Sequence, residues 1–426
     1  MTDILPHDWA KIHAGANPDA PAIVSADASI SYGDLDRRAD QHAERLVAGG
    51  VAVGDIVPFP AASTPETIVA MIAIPRAGAA MAPYGPHRVD GDEAPSSSTY
   101  AVVATSGNSG HPRGVVLTKR NVEAAVEASQ ERLGNGPSDR WLLTLPLFHV
   151  GGISIVWRSL TAGGSIELHP RFDAAATAAA LRSRPVTMAS FVPTMLHRVL
   201  EYDPGPYDGL KAVLLGGAPA STDLVYRALS SGLPVLQTYG MTETCSQVST
   251  VVPGTAHDAS GTAGPPLDGF VVSLDEGEIL VDGPAVSPGY VGEAPRSGAH
   301  RTGDRGRIDE AGRLIITGRR DELIITGGEN VQPSAVEALI EALPEVAFAV
   351  VVGVDDEEWG QIVVAVVELE FGGIADIEAA AANRLARHEI PKHWIAVDRI
   401  PLLPTGKPDH QAAKGLAAAV LSSGSR

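Results

Sequence analysis

Thr105-Ser-Gly-Asn-Ser-Gly-His-Pro-Arg-Gly114 packs three glycines and three small hydroxyl residues into ten positions. Glycine lets a backbone approach a ligand closely, and hydroxyls with consecutive N–H groups present donors to phosphate oxygens. The apolar run Tyr100–Ala104 before it reads as a buried strand, and Val115–Leu117 follows it. A strand, a donor-rich loop and a second apolar run suit the triphosphate of ATP. The spacing matches neither Gly-x4-Gly-Lys-[Ser/Thr] nor Gly-x-Gly-x-x-Gly, so neither a P-loop nor a Rossmann turn is indicated. An ordinary solvated turn is the alternative for the loop taken alone.

Four further motifs follow in order. Gln237-Thr-Tyr-Gly-Met-Thr-Glu-Thr-Cys-Ser-Gln247 puts an aromatic, threonines and a carboxylate on one turn after the short strand Pro234–Gln237; then come Arg301-Thr-Gly-Asp304, Gly318-Arg-Arg-Asp321 and Pro404-Thr-Gly-Lys407. With the loop, this ordered set resembles the adenylate-forming superfamily of acyl-CoA synthetases, luciferase-like enzymes and peptide-synthetase adenylation domains. The resemblance runs from about Ser31-Tyr-Gly-Asp-Leu35 to the C-terminus.

The resemblance implies an acid–thiol ligase with ATP, Mg²⁺ and CoA. A carboxylate attacks the α-phosphorus of MgATP, pyrophosphate leaves, and the CoA thiol then attacks the acyl-adenylate carbonyl. Such chemistry rests on positioning and charge neutralisation. By resemblance, Thr105, Ser106, Gly107, Asn108, Ser109 and Gly110 hold the β and γ phosphates, with Arg113 at the catalytic position. The loop departs from the family at two points: Asn108-Ser109 replaces Thr-Thr, and Arg113 replaces Lys, spreading the charge over a planar fork. Thr242 is expected to contact the α-phosphate and Glu243 to hold Mg²⁺, which favours hard carboxylate oxygens. Tyr239 and Gly240 flank the adenine, and Gly216, Gly217 and Ala218 let it approach the backbone; an ordinary strand-to-helix turn is the alternative for the latter three. Asp304 offers two oxygens to the ribose diol, and Arg319 adds a ribose or phosphate contact. Asp321 occupies the family's hinge, Lys407 is the adenylation lysine, and Gly327 and Gly328 line the CoA tunnel. Cys245 has no base nearby in sequence and reads as a buried small residue.

For the acid, Leu145-Pro-Leu-Phe-His149-Val-Gly-Gly152 lacks the Asp that amino-acid-activating members carry. His149 is placed at the acyl pocket, with a packed core histidine as the alternative. Ile153–Arg158, Ser190–Leu196 and Thr242–Gln247 look most like the o-succinylbenzoate-CoA ligases of menaquinone biosynthesis; fatty and aryl acids stay open. A dicarboxylic acid needs a cation or several donors for its unreacted carboxylate. Arg158 and Arg198 are the basic residues closest in sequence to the pocket, each with a structural arginine as the alternative.

Positioning these residues needs a large scaffold. The 426 residues are 44% hydrophobic and 19% charged, a globular composition long enough for two or more domains. Net charge −19 argues against nucleic acid and anionic membranes as partners, and the anionic ATP and CoA must therefore meet local cations and backbone N–H groups. One cysteine and a start without a signal-peptide pattern suit the cytoplasm, and a homodimer is compatible with the sequence.

Strand-like and helix-like runs alternate to about residue 240: Trp141–Leu145 then Ile153–Leu160, Thr187–Val192 then Thr194–Glu201, Ala212–Leu215 then Thr222–Ser230. That alternation reads as βαβ units and a mainly parallel sheet. From Phe270 to Thr317 short strands with Asp/Gly turns suggest a small β-barrel or sheet. The tail adds a helix from Ser334 to Ala342, strands Val346–Val354 and Gln361–Glu368, and a helix from Ile374 to Arg387. The fold is accordingly α/β: a large N-terminal domain (1–318) of βαβ subdomains with a small β-barrel, then a smaller mobile α+β domain (319–426). Against the family, one or two βα units are expected to be missing near 58–98. A non-catalytic nucleotide or acyl-adenylate binder is the rival from another class; together Glu243, Asp304, Asp321 and Lys407 favour an enzyme.

Overall fold

The computed structural model describes residues 8–424 apart from 27, 87, 89–95, 97 and 106–112. Its largest sheet has eight strands, in the order Ser246–Thr250, Val235–Met241, Ala212–Leu215, Met188–Phe191, Arg140–Leu143, Ser165–Leu168, Pro21–Val24 and Ser29–Ser31. The six inner strands run parallel, and an antiparallel strand closes each edge. Parallel strands covered on both faces are largely apolar, and Trp141, Leu142, Leu143, Val213 and Leu214 are all buried.

Helices Val150–Ala162, Pro193–Tyr202 and Thr222–Ser230 alternate with these strands as the sequence pattern predicts. Helix starts are set by local chemistry. Ser221 accepts from the Leu224 N–H at 3.3 Å, and the Thr118–Asn121 capping box opens Lys119–Leu133, which stops at left-handed Gly134. Helix Val150–Ala162 is buried on nearly all sides, and it carries a charged residue, Arg158, inside.

A five-stranded sheet follows the order Gly289–Tyr290, Gly114–Thr118, Thr99–Ala104, Ala80–Tyr84, Ile56–Pro60. It contains one βαβ unit, with helix Pro65–Arg76 between its last two strands. The expected small barrel is instead an open antiparallel sheet of four strands among the described residues: Val271–Asp275, Glu278–Asp282, His300–Ile308 and Leu314–Arg319. Its first and last strands lie at opposite edges and do not pair, so the ladder does not close.

The last sheet draws all five strands from Ile324–Thr326 to His393–Val397. The helix expected from Ile374 to Arg387 ends at Ala382. Strand Val346–Asp356 is an edge of this sheet. Its outward N–H groups are met by carboxylates from helix Pro333–Glu341: Val351 donates to Glu337 at 2.8 Å and Ala349 to Glu341 at 3.1 Å. Edge groups satisfied in this way no longer template another strand.

Polar contacts join this part to the large sheet's helices. The Thr194 hydroxyl donates to the Gly406 carbonyl, Arg399 pairs with Glu201 at 3.3 Å, and His197 Nε2 lies 3.4 Å from Glu370.

Burial, reinforced by the nearby Glu337 charge, pushes the Glu341 carboxyl up to about 8. A raised carboxyl favours the folded state fully below its ordinary value near 4.5, and that support is lost as pH rises through 8. Glu341→Gln should therefore melt above the parent at pH 9 and close to it at pH 5, with the Ala349 bond kept by the amide oxygen. Thermal melts showing the same pH slope in both proteins would place the charge elsewhere.

Candidate active site

The parallel strands deliver the site from their carboxyl ends, where α/β sheets leave backbone groups open to ligands. Ala212–Leu215 runs into Gly216 and Gly217, and Val235–Met241 carries Tyr239 and Gly240 into the turn Thr242–Thr244. Gly240 is required by space: a Cβ there would stand 1.7 Å from the Ser246 carbonyl oxygen.

Asp304 is the hub. It sits on strand His300–Ile308 with 7% of its surface exposed. The Tyr239 hydroxyl donates to Oδ2 at 2.7 Å and Arg319 Nη1 to Oδ1 at 3.0 Å. Burial raises the Asp304 carboxyl above its usual range, while the Tyr239 bond and the Arg319 and Lys407 charges pull it back. Desolvation beside this carboxylate drives the Tyr239 phenol well above the ordinary range. Arg319 also donates Nε to Asp321 at 2.9 Å, so one guanidinium bridges the expected ribose acceptor and the expected hinge.

Lys407 reaches the same place from the other end of the chain. Its side chain lies against left-handed Gly217, where a Cβ would meet Lys407 Cε at 2.8 Å. Burial lowers its ammonium below the usual range, and Asp304 offsets part of that. The cation is felt at His149: burial first, then Lys407, push the imidazole down to about 4, so the ring is neutral at physiological pH. His149 packs on Phe148 at 4.9 Å between ring centroids and starts helix Val150–Ala162.

A cleft of about 390 Å³ opens along Phe148, Thr144, Phe172 and Met195, and is bounded by Leu403–Gly406, the loop that carries Lys407. The hydroxyls of Thr144 and Thr405 line it, buried and without partners among the described residues. Ala218 lies away from this cleft, on the seam against Phe348 and Glu341.

The phosphate and metal side is built around a ring. The Tyr290 hydroxyl donates to Glu243 Oε1 at 2.8 Å, and the Arg113 guanidinium covers the same ring 3.3 Å from its centroid. Arg113 Nη2 donates to both oxygens of Glu293, at 2.7 and 2.8 Å. Thr105 closes the base of the loop, donating N–H to the Arg113 carbonyl at 2.9 Å and accepting the Arg113 N–H at 3.2 Å. Ser106, Gly107, Asn108, Ser109 and Gly110 lie outside the described residues. Thr242 is buried at the start of its turn. Among the described residues no cluster of three His, Cys, Asp or Glu side chains forms a metal cage. A single carboxylate with one oxygen spoken for fits Mg²⁺, which takes one or two carboxylates and completes its shell with water and phosphate oxygens.

Arg158 is neither at the surface nor paired with a carboxylate among the described residues. It is 4% exposed, donates Nη2 to Ser246 Oγ at 3.0 Å, and lies 5.7 Å over Trp141; burial pushes its guanidinium down to about 10. Ser246 and Cys245 both hold positive φ, at 97° and 54°, a conformation that costs free energy in residues with a Cβ. Cys245 is buried, as its lack of a neighbouring base suggests, and burial pushes its thiol up to about 12. Arg198 lies on helix Pro193–Tyr202 with its Nε buried. Gly327 and Gly328 stand apart from the Asp304 hub, on the hairpin Ile324–Thr326/Glu329–Val331, where Gly327 packs on Trp359.

Two residues of the site escaped the sequence motifs, Tyr290 and Glu293, and Ser246 lay within a motif without being assigned a role. Tyr290 reaches Glu243 only because strand Gly289–Tyr290 pairs with Val115 and Val116 beside the loop. No local spacing carries that signal.

Residues 11–90 and 87–291 match the family model of the AMP-binding enzyme, and 335–407 match that of the AMP-binding enzyme C-terminal domain. The chain is 38% identical over 320 residues to the 2-succinylbenzoate--CoA ligase of Bacillus licheniformis; the match covers 70% of this chain and 66%, just under two thirds, of that protein. Its fold is similar to the o-succinylbenzoate CoA synthetase (MenE) of Bacillus subtilis in complex with the acyl-adenylate intermediate OSB-AMP, with TM-score 0.85, 29% identity, and 96% and 98% of the two chains covered. The same synthetase in complex with ATP and magnesium ion gives TM-score 0.84 at 28% identity, covering 96% and 99%. Matched across most of its length by motifs, family models and fold, the chain belongs to the AMP-binding enzyme family.

Proposed function

We propose that the chain is an ATP-dependent acid–CoA ligase that forms an acyl-adenylate and then a thioester, acting on o-succinylbenzoate in menaquinone biosynthesis. The observation that carries the ligase reading is Lys407: a lysine from the C-terminal sheet's end of the chain lies against Gly217, within the field of Asp304. The relatives' named activity and their ATP, magnesium and adenylate complexes support it.

In the first half-reaction the substrate carboxylate attacks the α-phosphorus and pyrophosphate departs. Lys407 supplies positive charge where the oxygens around the pentacoordinate phosphorus develop negative charge, Asp304 accepts from the ribose diol, and Tyr239 holds Asp304 and lines the adenine. Magnesium, held by Glu243, neutralises phosphate charge. In the second half-reaction the thiol sulfur attacks the carbonyl carbon, AMP leaves, and the thiol proton is released. The chain divides into an adenylate-binding domain (1–318), shortened near 58–98, and a mobile domain (319–426). Rotation about Asp321 withdraws Lys407 and brings Gly327 and Gly328 to the pantetheine. Neutral His149 borders the acyl pocket. No described helix is long and apolar enough to cross a membrane, and the proposed setting is the cytoplasm.

The acid is inferred from Arg158. A buried guanidinium without a carboxylate partner is costly unless a ligand supplies one, and the second carboxylate of o-succinylbenzoate would supply it.

Three measurements bear on these roles. Lys407→Ala should slow adenylate formation by about 10²–10³, as loss of one preorganised donor does, and leave thioester formation from a supplied acyl-adenylate largely intact. Equal loss in both half-reactions would remove the rotation. Asp304→Ala should weaken ATP binding by roughly 1–3 kcal/mol in calorimetry, since the diol loses its acceptor; unchanged affinity would move the ribose contact elsewhere. Arg158→Met should depress turnover of o-succinylbenzoate far more than that of benzoate. Equal parent activity on both acids, or preference for a long aliphatic acid, would defeat the substrate assignment and leave the ligase reading standing.

A further inference from the structure

The geometry points to Tyr290 as a positioning residue for the Glu243 carboxylate, with Arg113 fixing the ring from its other side rather than acting only as a phosphate contact. This rests on the ligase reading above, in which Glu243 holds the metal.

Glu243 stands in a three-residue turn, Thr242–Thr244, and a free glutamate there would sample many rotamers. The Tyr290 hydroxyl removes that freedom by taking Oε1 at 2.8 Å, which leaves Oε2 as the oxygen available to a cation. Tyr290 is itself immobilised. Its backbone pairs with Val115, and the Ser287 N–H donates to the Glu243 carbonyl at 2.8 Å while the Ser287 hydroxyl donates to Val116 at 2.7 Å. One face of the ring is covered by Arg113 at 3.3 Å, and both oxygens of Glu293 hold the guanidinium through its Nη2.

This arrangement explains why arginine can serve at position 113. A planar guanidinium lies flat on an aromatic face while one of its nitrogens reaches a carboxylate beside the ring; an ammonium is a point charge with no plane to lay on the ring. The end of the phosphate loop and the metal-holding carboxylate are thereby joined through one ring. Hydrogen-bond partners behind a metal ligand set its orientation, and their loss costs about 10–100-fold in metal affinity.

The test uses the whole chain with Mn²⁺ titrated into its complex with α,β-methylene-ATP, followed by electron paramagnetic resonance. Metal-free nucleotide affinity is measured separately by calorimetry. Tyr290→Phe keeps the ring beneath Arg113 and removes only the hydroxyl. Mn²⁺ affinity should fall about tenfold or more with nucleotide affinity unchanged, and adenylate formation should recover at high Mg²⁺. Arg113→Lys should lose part of the same metal affinity. Mn²⁺ binding equal to the parent's in Tyr290→Phe overturns the role, and so does a parallel fall in nucleotide affinity, which would mark a general disturbance. A parent that bound neither nucleotide nor metal would sink the ligase reading and this inference with it; a parent that binds both, with Tyr290→Phe unaffected, sinks this inference alone.

Discussion

A carboxylate withdrawn from water must be met by donors, and the architecture around Asp304 follows from meeting it. Its two oxygens are satisfied from different directions, by Tyr239 at the end of a parallel strand and by Arg319 at the end of an antiparallel one. Leaving such a charge unpaired would cost several kcal/mol, so these segments hold one relative placement. Arg319 extends the constraint to Asp321, and Lys407 settles into the field the carboxylate creates. Groups nearly 170 positions apart, from Tyr239 to Lys407, are thus registered on one charge.

The neighbouring turn shows the complementary device, strain in place of charge. Cys245 and Ser246 are held at positive φ by the antiparallel return from Val235–Met241 to Ser246–Thr250, with an irregular register at Tyr239/Gly240. The return aims Ser246 Oγ at Arg158. A relaxed turn would not place a hydroxyl beside a guanidinium that helix Val150–Ala162 buries among apolar side chains.

Elements whose signals are local were legible in the sequence. Ala212–Leu215, Thr222–Ser230 and Glu278–Asp282 occupy the expected residues, because apolar runs and a serine cap define them without reference to partners. The helix from Ile374 was read too long: Arg384, Leu385, Ala386 and Arg387 have high propensity, yet Ala381 is the last residue of that helix to find a buried face. Closure of the four-stranded sheet was a matter of edge pairing, which strand patterns do not encode. Asp304, Tyr239, Arg319 and Lys407 were named from motifs, and the structure draws them together. Tyr290 carried no motif and Ser246, inside one, carried no role, since their importance arises from the pairing of Tyr290 with Val115, far away in sequence, and from a bent return.

Beside the buried ring contact of His197 on Phe348, the seam between helix Pro193–Tyr202 and the C-terminal sheet carries polar contacts that are exchangeable. Arg399 and Glu201 are each nearly half exposed, and an ion pair so placed contributes only about 0–1 kcal/mol. The Thr194 hydroxyl and the Gly406 carbonyl can each trade the other for water. A seam of this kind behaves as a latch rather than a weld. On the proposed rotation, parting it would expose charges that water and salt readily accept, and the choice between closed and parted forms would fall to whatever occupies the space beneath Lys407.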